Sequence, residues 1–258
     1  GLFQFSLSAG AHTLKIQAIG YKTKTLQIDS RNQEERSLQI SLAEDQLGLD
    51  QVVISATRNR VNLKKAPVVV NVLSPKLFNA TQSISVAESL NFQPGVRVET
   101  NCQNCGFTQV RLNGLDGSYT QVLMNSRAVF SALNSVYGLE QIPTSILDRI
   151  EVVRSGGSAL YGSNAIAGTI NIITKDPVLN SWQIGSNLGF IDGKTPDRSL
   201  NLNASVVSED LNSGITVFGM KRDRDSYDAN GDGFTELTKL TNTSLGAKAF
   251  LKPNEKSK

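Results

Sequence analysis

Short runs of alternating apolar and polar residues occupy the first 42 positions of the chain. Phe3, Phe5 and Leu7 share one face of the first run, and further runs follow up to Leu42. A period of two residues predicts β-strands with one buried face. Three or four such strands in succession indicate part of a small β-sandwich.

Residues 51–58, QVVISATR, form a short extended run after the acidic linker AEDQLGLD. The pattern predicts no neighbouring strand beside this run. We therefore interpret it as an isolated edge strand, with docking onto a strand of a partner protein as the alternative.

Residues 59–175 combine helical and strand patterns. VVVNVLS predicts a strand, and SPKLFNATQSISVAESLNFQPGV predicts one or two short helices that end at Pro94–Gly95. VRVET and TQVRLNG predict strands on either side of a cysteine-containing loop, and TQVLMNSRAVF predicts a further strand. A short helix is expected to begin near Pro143, because proline suits the first turn of a helix. GTINIITK predicts the last strand of an α+β region.

After Asp176–Pro177 the alternating runs become longer. In SWQIGSNLGF the large apolar side chains share one face and the small or polar ones share the other, and SLNLNASVVS repeats this. GITVFGMKR and SLGAKAFLK follow the same alternation less regularly. Strands of about ten residues with this pattern fit a transmembrane β-barrel with a hydrated interior. A soluble antiparallel sheet with one wet face has the same period, but the mixture of short and long connections favours the barrel.

Composition narrows the classes of function. The 258 residues carry 26 basic and 23 acidic side chains, for a net charge of +3. Because the basic residues form no stripe with interleaved aromatics, nucleic acid is not an expected partner. No segment approaches the roughly 20 apolar residues that a membrane helix needs. The chain begins within a strand pattern and ends at KPNEKSK without a closing element, so we expect it to be a piece of a longer protein.

The segment from Arg154 to Lys175, RSGGSALYGSNAIAGTINIITK, is rich in glycine and other small residues. Such a segment either cradles a phosphate or forms a compact buried turn. It lacks the Lys-Ser/Thr of a P-loop and the spacing of a dinucleotide-binding motif. We therefore interpret its glycines as positions where the backbone turns tightly and packs closely.

Cys102 and Cys105 are the only cysteines of the chain. A C-x-x-C pair is compatible with a redox pair, half of a zinc site or a small disulfide. A zinc site lacks further ligands, since His12 is the only histidine. A redox site would require a helix that opens at the first cysteine, whereas a β-patterned segment follows. A local disulfide between Cys102 and Cys105 in an oxidising compartment is our prediction.

Three blocks between residues 50 and 175 resemble the plug of TonB-dependent outer-membrane receptors. QVVISATR resembles the TonB box, and VRLNGLDGSYTQVLMNSRAVF resembles the R-x-x-G…VLxDG segment, with Asn125–Ser126 where Asp-Gly is usual. IPTSILDRIEVVRSGGSALYGSNAIAGTINIITK resembles the family signature, with Ala167 where a second glycine is frequent. The first strands resemble the end of a carboxypeptidase-regulatory-like domain, which precedes the TonB box in receptors of the Bacteroidetes type.

This resemblance implies a mainly β fold in four parts. They are a partial carboxypeptidase-regulatory-like β-sandwich at 1–44, a linker with the TonB box at 45–58, an α+β plug domain at 59–176, and the first four strands of a 22-stranded antiparallel transmembrane β-barrel at 177–258. It places the protein in the bacterial outer membrane, in contact with its lipid, with the N-terminal part in the periplasm.

The resemblance also implies a mechanism of import. The plug closes the barrel, substrate binds from outside, and TonB with its inner-membrane energising complex pairs edge-on with the TonB box and remodels the plug. The residues implied to contact TonB are Gln51, Val52, Val53, Ile54, Ser55 and Ala56. No catalytic residue or cofactor is required, and the sequence holds neither a Ser-His-Asp set nor a paired-carboxylate motif, so the chain is not expected to be an enzyme.

Two loops would form the outward-facing apex of the plug and contact the substrate. Their candidate contact residues are Cys102, Gln103, Asn104 and Cys105 in the first loop, and Arg127, Phe130, Asn134 and Tyr137 in the second. Solvated loop residues or plug–barrel packing are the plainer interpretation of each. The NCQNCGF segment resembles haem receptors of this bacterial group, with cobalamin and ferric siderophores as rival substrates.

The segment DANGDGFTE matches the first half of a calcium-binding EF-hand loop. Asp228, Asn230 and Asp232 alternate ahead of Gly233, and Glu236 stands at the ninth position. The twelfth position is Lys239 instead of the usual glutamate. Calcium is therefore a candidate ligand in a predicted second extracellular loop, and a plain Asp/Asn/Gly turn is the alternative.

Import of a scarce nutrient, namely haem, a ferric siderophore or cobalamin, is the predicted function. One alternative is a SusC-like importer of oligosaccharide or peptide that works with a surface lipoprotein. The other is a surface binding protein on the same scaffold that transports nothing. The compact plug without long insertions favours the first.

Overall fold

A computed structural model of the protein describes residues 7–16, 21, 24–31, 38–43, 52–100, 108–128, 138–177, 179–208 and 212–251. The chain divides into two compact units, Gly1–Pro67 and Val68–Lys258. Among the described residues, no helix is both long and apolar enough to cross a membrane.

The first unit contains two short antiparallel pairs of strands. β1 (Ala11–Ile16) pairs with β2 (Lys24–Asp29), and β3 (Val52–Val53) pairs with β4 (Val61–Asn62). The alternating runs around Leu14 and Leu26 form these two strands, as predicted, whereas Phe3 and Phe5 of the first run lie outside the described residues. The strand predicted near residues 38–42 is wrong, since residues 38–43 lie in no strand. There the carbonyl oxygen of Ser41 accepts a hydrogen bond from Lys24 Nζ at 3.1 Å, instead of an amide of a neighbouring strand.

The second unit is built on a five-stranded sheet. In spatial order the strands are β5 (Val70–Leu73), β10 (Leu147–Val153), β11 (Gly168–Thr174), β8 (Thr120–Met124) and β9 (Arg127–Ala128). Only one pair of neighbouring strands in this sheet, β8 with β11, runs parallel.

Two helices and a separate hairpin cover one face of this sheet. The elements are α1 (Pro75–Ala80), α2 (Val86–Leu90), and the pair β6 (Val96–Thr100) and β7 (Thr108–Leu112). Proline at the first position of α1 suits a helix start, because its missing N–H would have no partner there. The fully buried core includes Leu73, Leu90, Leu112, Ile150 and Ile170.

A tight turn separates β8 from β9, so the prediction of one strand through TQVLMNSRAVF is wrong. Asn125 and Ser126 form this two-residue turn with φ angles of 50° and 66°. Two-residue hairpin turns of this kind favour Asn/Asp followed by Gly, because both central residues adopt positive φ. Similarly, the helix expected near Pro143 is a single 3-10 turn, Thr144–Ile146.

The C-terminal part forms a four-stranded antiparallel sheet in sequence order. Its strands are β12 (Ser181–Ile191), β13 (Thr195–Val207), β14 (Ser213–Arg224) and β15 (Leu240–Leu251). One face exposes large apolar side chains, such as Trp182, Leu188 and Leu245. The opposite face carries buried polar residues, such as Arg222 and Asn242. The two-sided alternation predicted from the sequence is therefore confirmed.

Candidate functional site

The residues predicted to contact TonB lie on and after the two-residue strand β3. Val53, Ser55 and Ala56 are almost fully buried, and Val52 and Ile54 are half-buried. In the pairing with β4, Val52 lies opposite Asn62 and Val53 lies opposite Val61. One edge of β3 is therefore already occupied by a strand of the same unit. Gln51 lies outside the described residues.

The two predicted substrate loops begin and end on well-defined elements. The first loop joins β6 to β7, and the second follows β9 and precedes a helical turn at residues 138–141. The hydroxyl of Thr108 donates a 2.7 Å hydrogen bond to Glu140 Oε1. This bond joins the residue that follows the first loop to a residue just after the second, so the bases of both loops lie together.

Among the eight predicted contact residues, only Arg127 lies in the described part of the chain. Its side chain is exposed, and it pairs with Met124 across the tight turn between β8 and β9. The others, Cys102, Gln103, Asn104, Cys105, Phe130, Asn134 and Tyr137, lie outside the described residues, and so does the predicted disulfide. All eight stay predictions.

The four predicted calcium ligands lie in one loop between β14 and β15, where they accept backbone hydrogen bonds. The two carboxylate oxygens of Asp228 accept from the amides of Gly231 at 2.6 Å and Gly233 at 2.9 Å. Asp232 Oδ1 accepts a hydrogen bond from the amide of Phe234 at 2.8 Å, and Asn230 Oδ1 accepts one from the amide of Asp232 at 3.1 Å. Glu236 Oε2 accepts a hydrogen bond from the amide of Ala229 at 2.6 Å.

The hydrogen bonds from the amides of Gly233 and Gly231, the former with the larger effect, lower the pKa of Asp228 below its ordinary value. In the described ranges, no three His, Cys, Asp or Glu side chains form a group that would hold a metal ion. Calcium binding at this loop therefore stays a prediction from the sequence.

The small residues between Arg154 and Lys175 pack closely against other elements. A Cβ atom at Gly168 would lie 2.2 Å from the carbonyl oxygen of Val153 and 2.4 Å from Leu112 Cδ2. At Gly157 it would lie 2.9 Å from the hydroxyl of Thr169. These contacts support the interpretation of the segment as a packing element.

Polar side chains of the four-stranded sheet contact the rest of the second unit. Asn242 Nδ2 donates to the carbonyl of Glu140, and the hydroxyl of Ser244 donates to that of Gln141, both at 2.9 Å. Lys248 Nζ lies 2.6 Å from Asp176 Oδ1 and 2.9 Å from the hydroxyl of Thr174. The sequence did not indicate these contacts individually, although alternation placed their donors on the polar face.

Comparison with known families identifies both units. Residues 62–169 match the TonB-dependent Receptor Plug Domain, and residues 1–54 match the CarboxypepD_reg-like domain. The chain belongs to the TonB-dependent outer-membrane receptors. Hereafter the plug is the part of the second unit from Val68 to Asp176, and the wall is the sheet β12–β15.

Two curated relatives are named as vitamin B12 transporters. The vitamin B12 transporter BtuB of Photobacterium profundum is 28% identical over 201 residues, covering 74% of this chain and 32% of that protein. BtuB of Vibrio vulnificus is 32% identical over 125 residues, covering 48% of this chain and 20% of that protein. The chain thus spans about a third or less of the length of these relatives.

Solved structures of receptors share the fold. The ferric citrate transporter FecA in its unliganded form superimposes with a TM-score of 0.62 at 20% identity, covering 75% of this chain and 30% of that one. The siderophore receptor PirA from Acinetobacter baumannii superimposes with a TM-score of 0.60 at 16% identity, covering 72% of this chain and 29% of that one. The predicted fold class, a plug followed by barrel strands, is confirmed. The count of 22 strands and the Bacteroidetes type stay predictions.

Proposed function

We propose that the receptor imports cobalamin or a ferric complex across the outer membrane with energy transmitted by TonB. The observation that carries this proposal is the plug itself, which packs against the polar face of the wall through Asn242, Ser244 and Lys248. A barrel lined in this way needs a plug that closes it and yields during transport. The relatives named as vitamin B12 transporters and the ferric citrate transporter support the substrate class.

Substrate would bind where the two apical loops of the plug emerge. The Thr108–Glu140 hydrogen bond supports a single shared site, because it holds the bases of both loops together. Haem is one of the ferric complexes in this class. The test is a binding titration of the full-length receptor with cobalamin, a ferric siderophore and haem. Tight binding of one is expected, and failure of all three would contradict the proposal and favour the SusC-like alternative.

TonB would bind on the periplasmic side by pairing with the segment around Val52 and Val53. Because this segment pairs with β4 and its Val53 is buried, it has to leave its present position before a partner strand can dock fully. Pairing through the backbone uses the N–H and C=O groups that face the partner strand.

A proline substitution tests this role of β3. In Val52→Pro the N–H is lost and strand pairing is blocked, so growth that depends on uptake should be lost while substrate binding at the cell surface persists. The control Val52→Thr keeps the N–H and a β-branched side chain, and it should grow normally. Normal growth of Val52→Pro would instead indicate a surface binding protein that transports nothing.

A further inference from the structure

Arg222 lies on the polar face of β14, between a carboxylate of the wall and a carboxylate of the plug. Its side chain is 7% exposed. Nε and Nη2 donate to the two oxygens of Asp197 on β13, at 2.9 and 2.5 Å. Nη1 donates to Glu88 Oε1 in α2 at 2.5 Å. One guanidinium group therefore joins two strands of the wall and a helix of the plug.

Glu88 occupies a structural junction within the plug. Its second oxygen, Oε2, accepts a 2.8 Å hydrogen bond from the amide of Ile84, just ahead of α2. The carbonyl of Ile84 in turn accepts from the amide of Thr144 at 3.1 Å, and the amide of Val86 donates to the carbonyl of Ile142 at 3.1 Å. Glu88 thus connects Arg222 to the place where two separate segments of the plug are joined.

The contact differs from a second charged link that the described residues form between plug and wall. The pair Lys248–Asp176 involves an aspartate side chain that is 70% exposed, and exposed ion pairs are weak because water screens them. Arg222 and Asp197 are 7% and 14% exposed, whereas Glu88 is 35% exposed. The planar fork of Arg222 matches both oxygens of Asp197 at once. Removing the cation would leave the buried carboxylate of Asp197 without its ion pair and beside the like charge of Glu88, which is unfavourable.

We propose that Arg222 is the latch by which the barrel wall holds the plug in its closed position. Opening the pore requires the Arg222–Glu88 contact to break, while the Arg222–Asp197 contact keeps the cation in place on the wall for reclosure. This role concerns closure of the barrel and holds for any imported substrate.

Ion conductance of the purified full-length receptor in planar bilayers tests the latch without substrate or TonB. In Arg222→Met, transient openings in mild urea should occur at least about ten times as often as in the unchanged receptor. The matched control is Arg224→Met, since Arg224 is the next residue on the same face and its guanidinium donates to the carbonyl of Thr238 in the following loop. This control should stay as closed as the unchanged receptor.

A second variant keeps the test decisive if Arg222→Met does not fold. Glu88→Gln removes the plug carboxylate and leaves the Arg222–Asp197 pair within the wall intact, so it should fold, as judged by its migration in unheated gels, and still open more often. Equal opening frequencies in the unchanged receptor and in a folded Arg222→Met or Glu88→Gln variant would overturn the proposal. So would openings in Arg224→Met as frequent as those in Arg222→Met.

Discussion

At the scale of single residues, Gly168 shows how closely the plug is packed. It begins β11 with a φ angle of 145°, and the carbonyl oxygen of Val153 lies where a side chain would begin. This oxygen belongs to the backbone of β10, which pairs with both β5 and β11 and cannot move aside easily. Gly162 also has positive φ, at 95°, but a Cβ atom there would meet no other atom within 4 Å.

Alanine substitutions at these two glycines should therefore differ in cost. Gly168→Ala should lower the free energy of unfolding of the plug by about 3 kcal/mol, because overpacking is added to an unfavourable φ. Gly162→Ala carries only the conformational cost, about 1 kcal/mol. Urea titration of the full-length receptor in detergent measures both. An equal decrease in the free energy of unfolding in both variants would show that the close contact at Gly168 does not add to the cost of a side chain there.

The sequence predicted glycine-driven packing in this segment but not the Arg222 contact. Glycine and alanine spacing is visible locally, whereas Arg222 and Glu88 are 134 residues apart. Alternation along β14 indicates only that Arg222 faces inward. Which carboxylate it meets depends on how the plug sits on the wall, and no local pattern encodes that. The turn at Asn125–Ser126 was also missed, because neither residue is the glycine that usually marks the positive φ angles of such a turn.

At the scale of elements, Asp228 is one of three carboxylates that hold the backbone of the loop between β14 and β15. Asp228 accepts hydrogen bonds from two glycine amides, Gly231 and Gly233, both of which have positive φ. Because these bonds favour the charged form, the pKa of Asp228 lies below its ordinary value of 3.8. The stabilisation is fully present above that ordinary value, and it is lost as the pH falls through the lowered pKa.

Acidification should therefore loosen this loop only below the ordinary pKa of 3.8. The amides of Gly231 and Gly233 should be protected near neutral pH and lose their hydrogen bonds in strong acid, as followed by their NMR chemical shifts. Asp228→Asn keeps one acceptor oxygen and removes the titration, so its amide shifts should not change over the same range. An identical pH response in this variant would show that another group controls the loop.

Strand prediction succeeded where alternation extended over many residues. β12 to β15 were located by their two faces, whereas the segment at residues 38–43 alternates without forming a strand. A period of two is a necessary feature of a half-buried strand, but a strand also needs a partner for its backbone. Short runs with few neighbours are therefore where the pattern misleads.

At the scale of the whole molecule, the wall separates two environments. Leu245 lies near the middle of β15 and is 81% exposed on the apolar face, while its neighbour Ser244 bonds to the plug on the other side. Thr241 lies near the start of the same strand and is also exposed on the outer face. The outer face fits lipid, and the inner face fits a polar plug.

Arginine substitutions on this outer face should show a dependence on depth. Leu245→Arg should destabilise the receptor in a bilayer by about 2–4 kcal/mol, and Thr241→Arg by about 1 kcal/mol or less, because the cost falls from the midplane to the interface. Folded fractions in lipid vesicles, read from migration in unheated gels, measure the difference. Similar folded fractions for both variants would mean that the face does not contact hydrocarbon.

The apolar band on β12 also limits the membrane in which the receptor can reside. Trp182 and Phe190, both more than half exposed, lie eight residues apart at opposite ends of this band. At about 3.3 Å per residue they span about 26 Å along the strand, and a strand tilt of about 40° reduces the height of the band to about 20 Å. Such a band matches a hydrocarbon layer thinner than average, as in the bacterial outer membrane. In a thicker bilayer the lipid around these strands would have to compress.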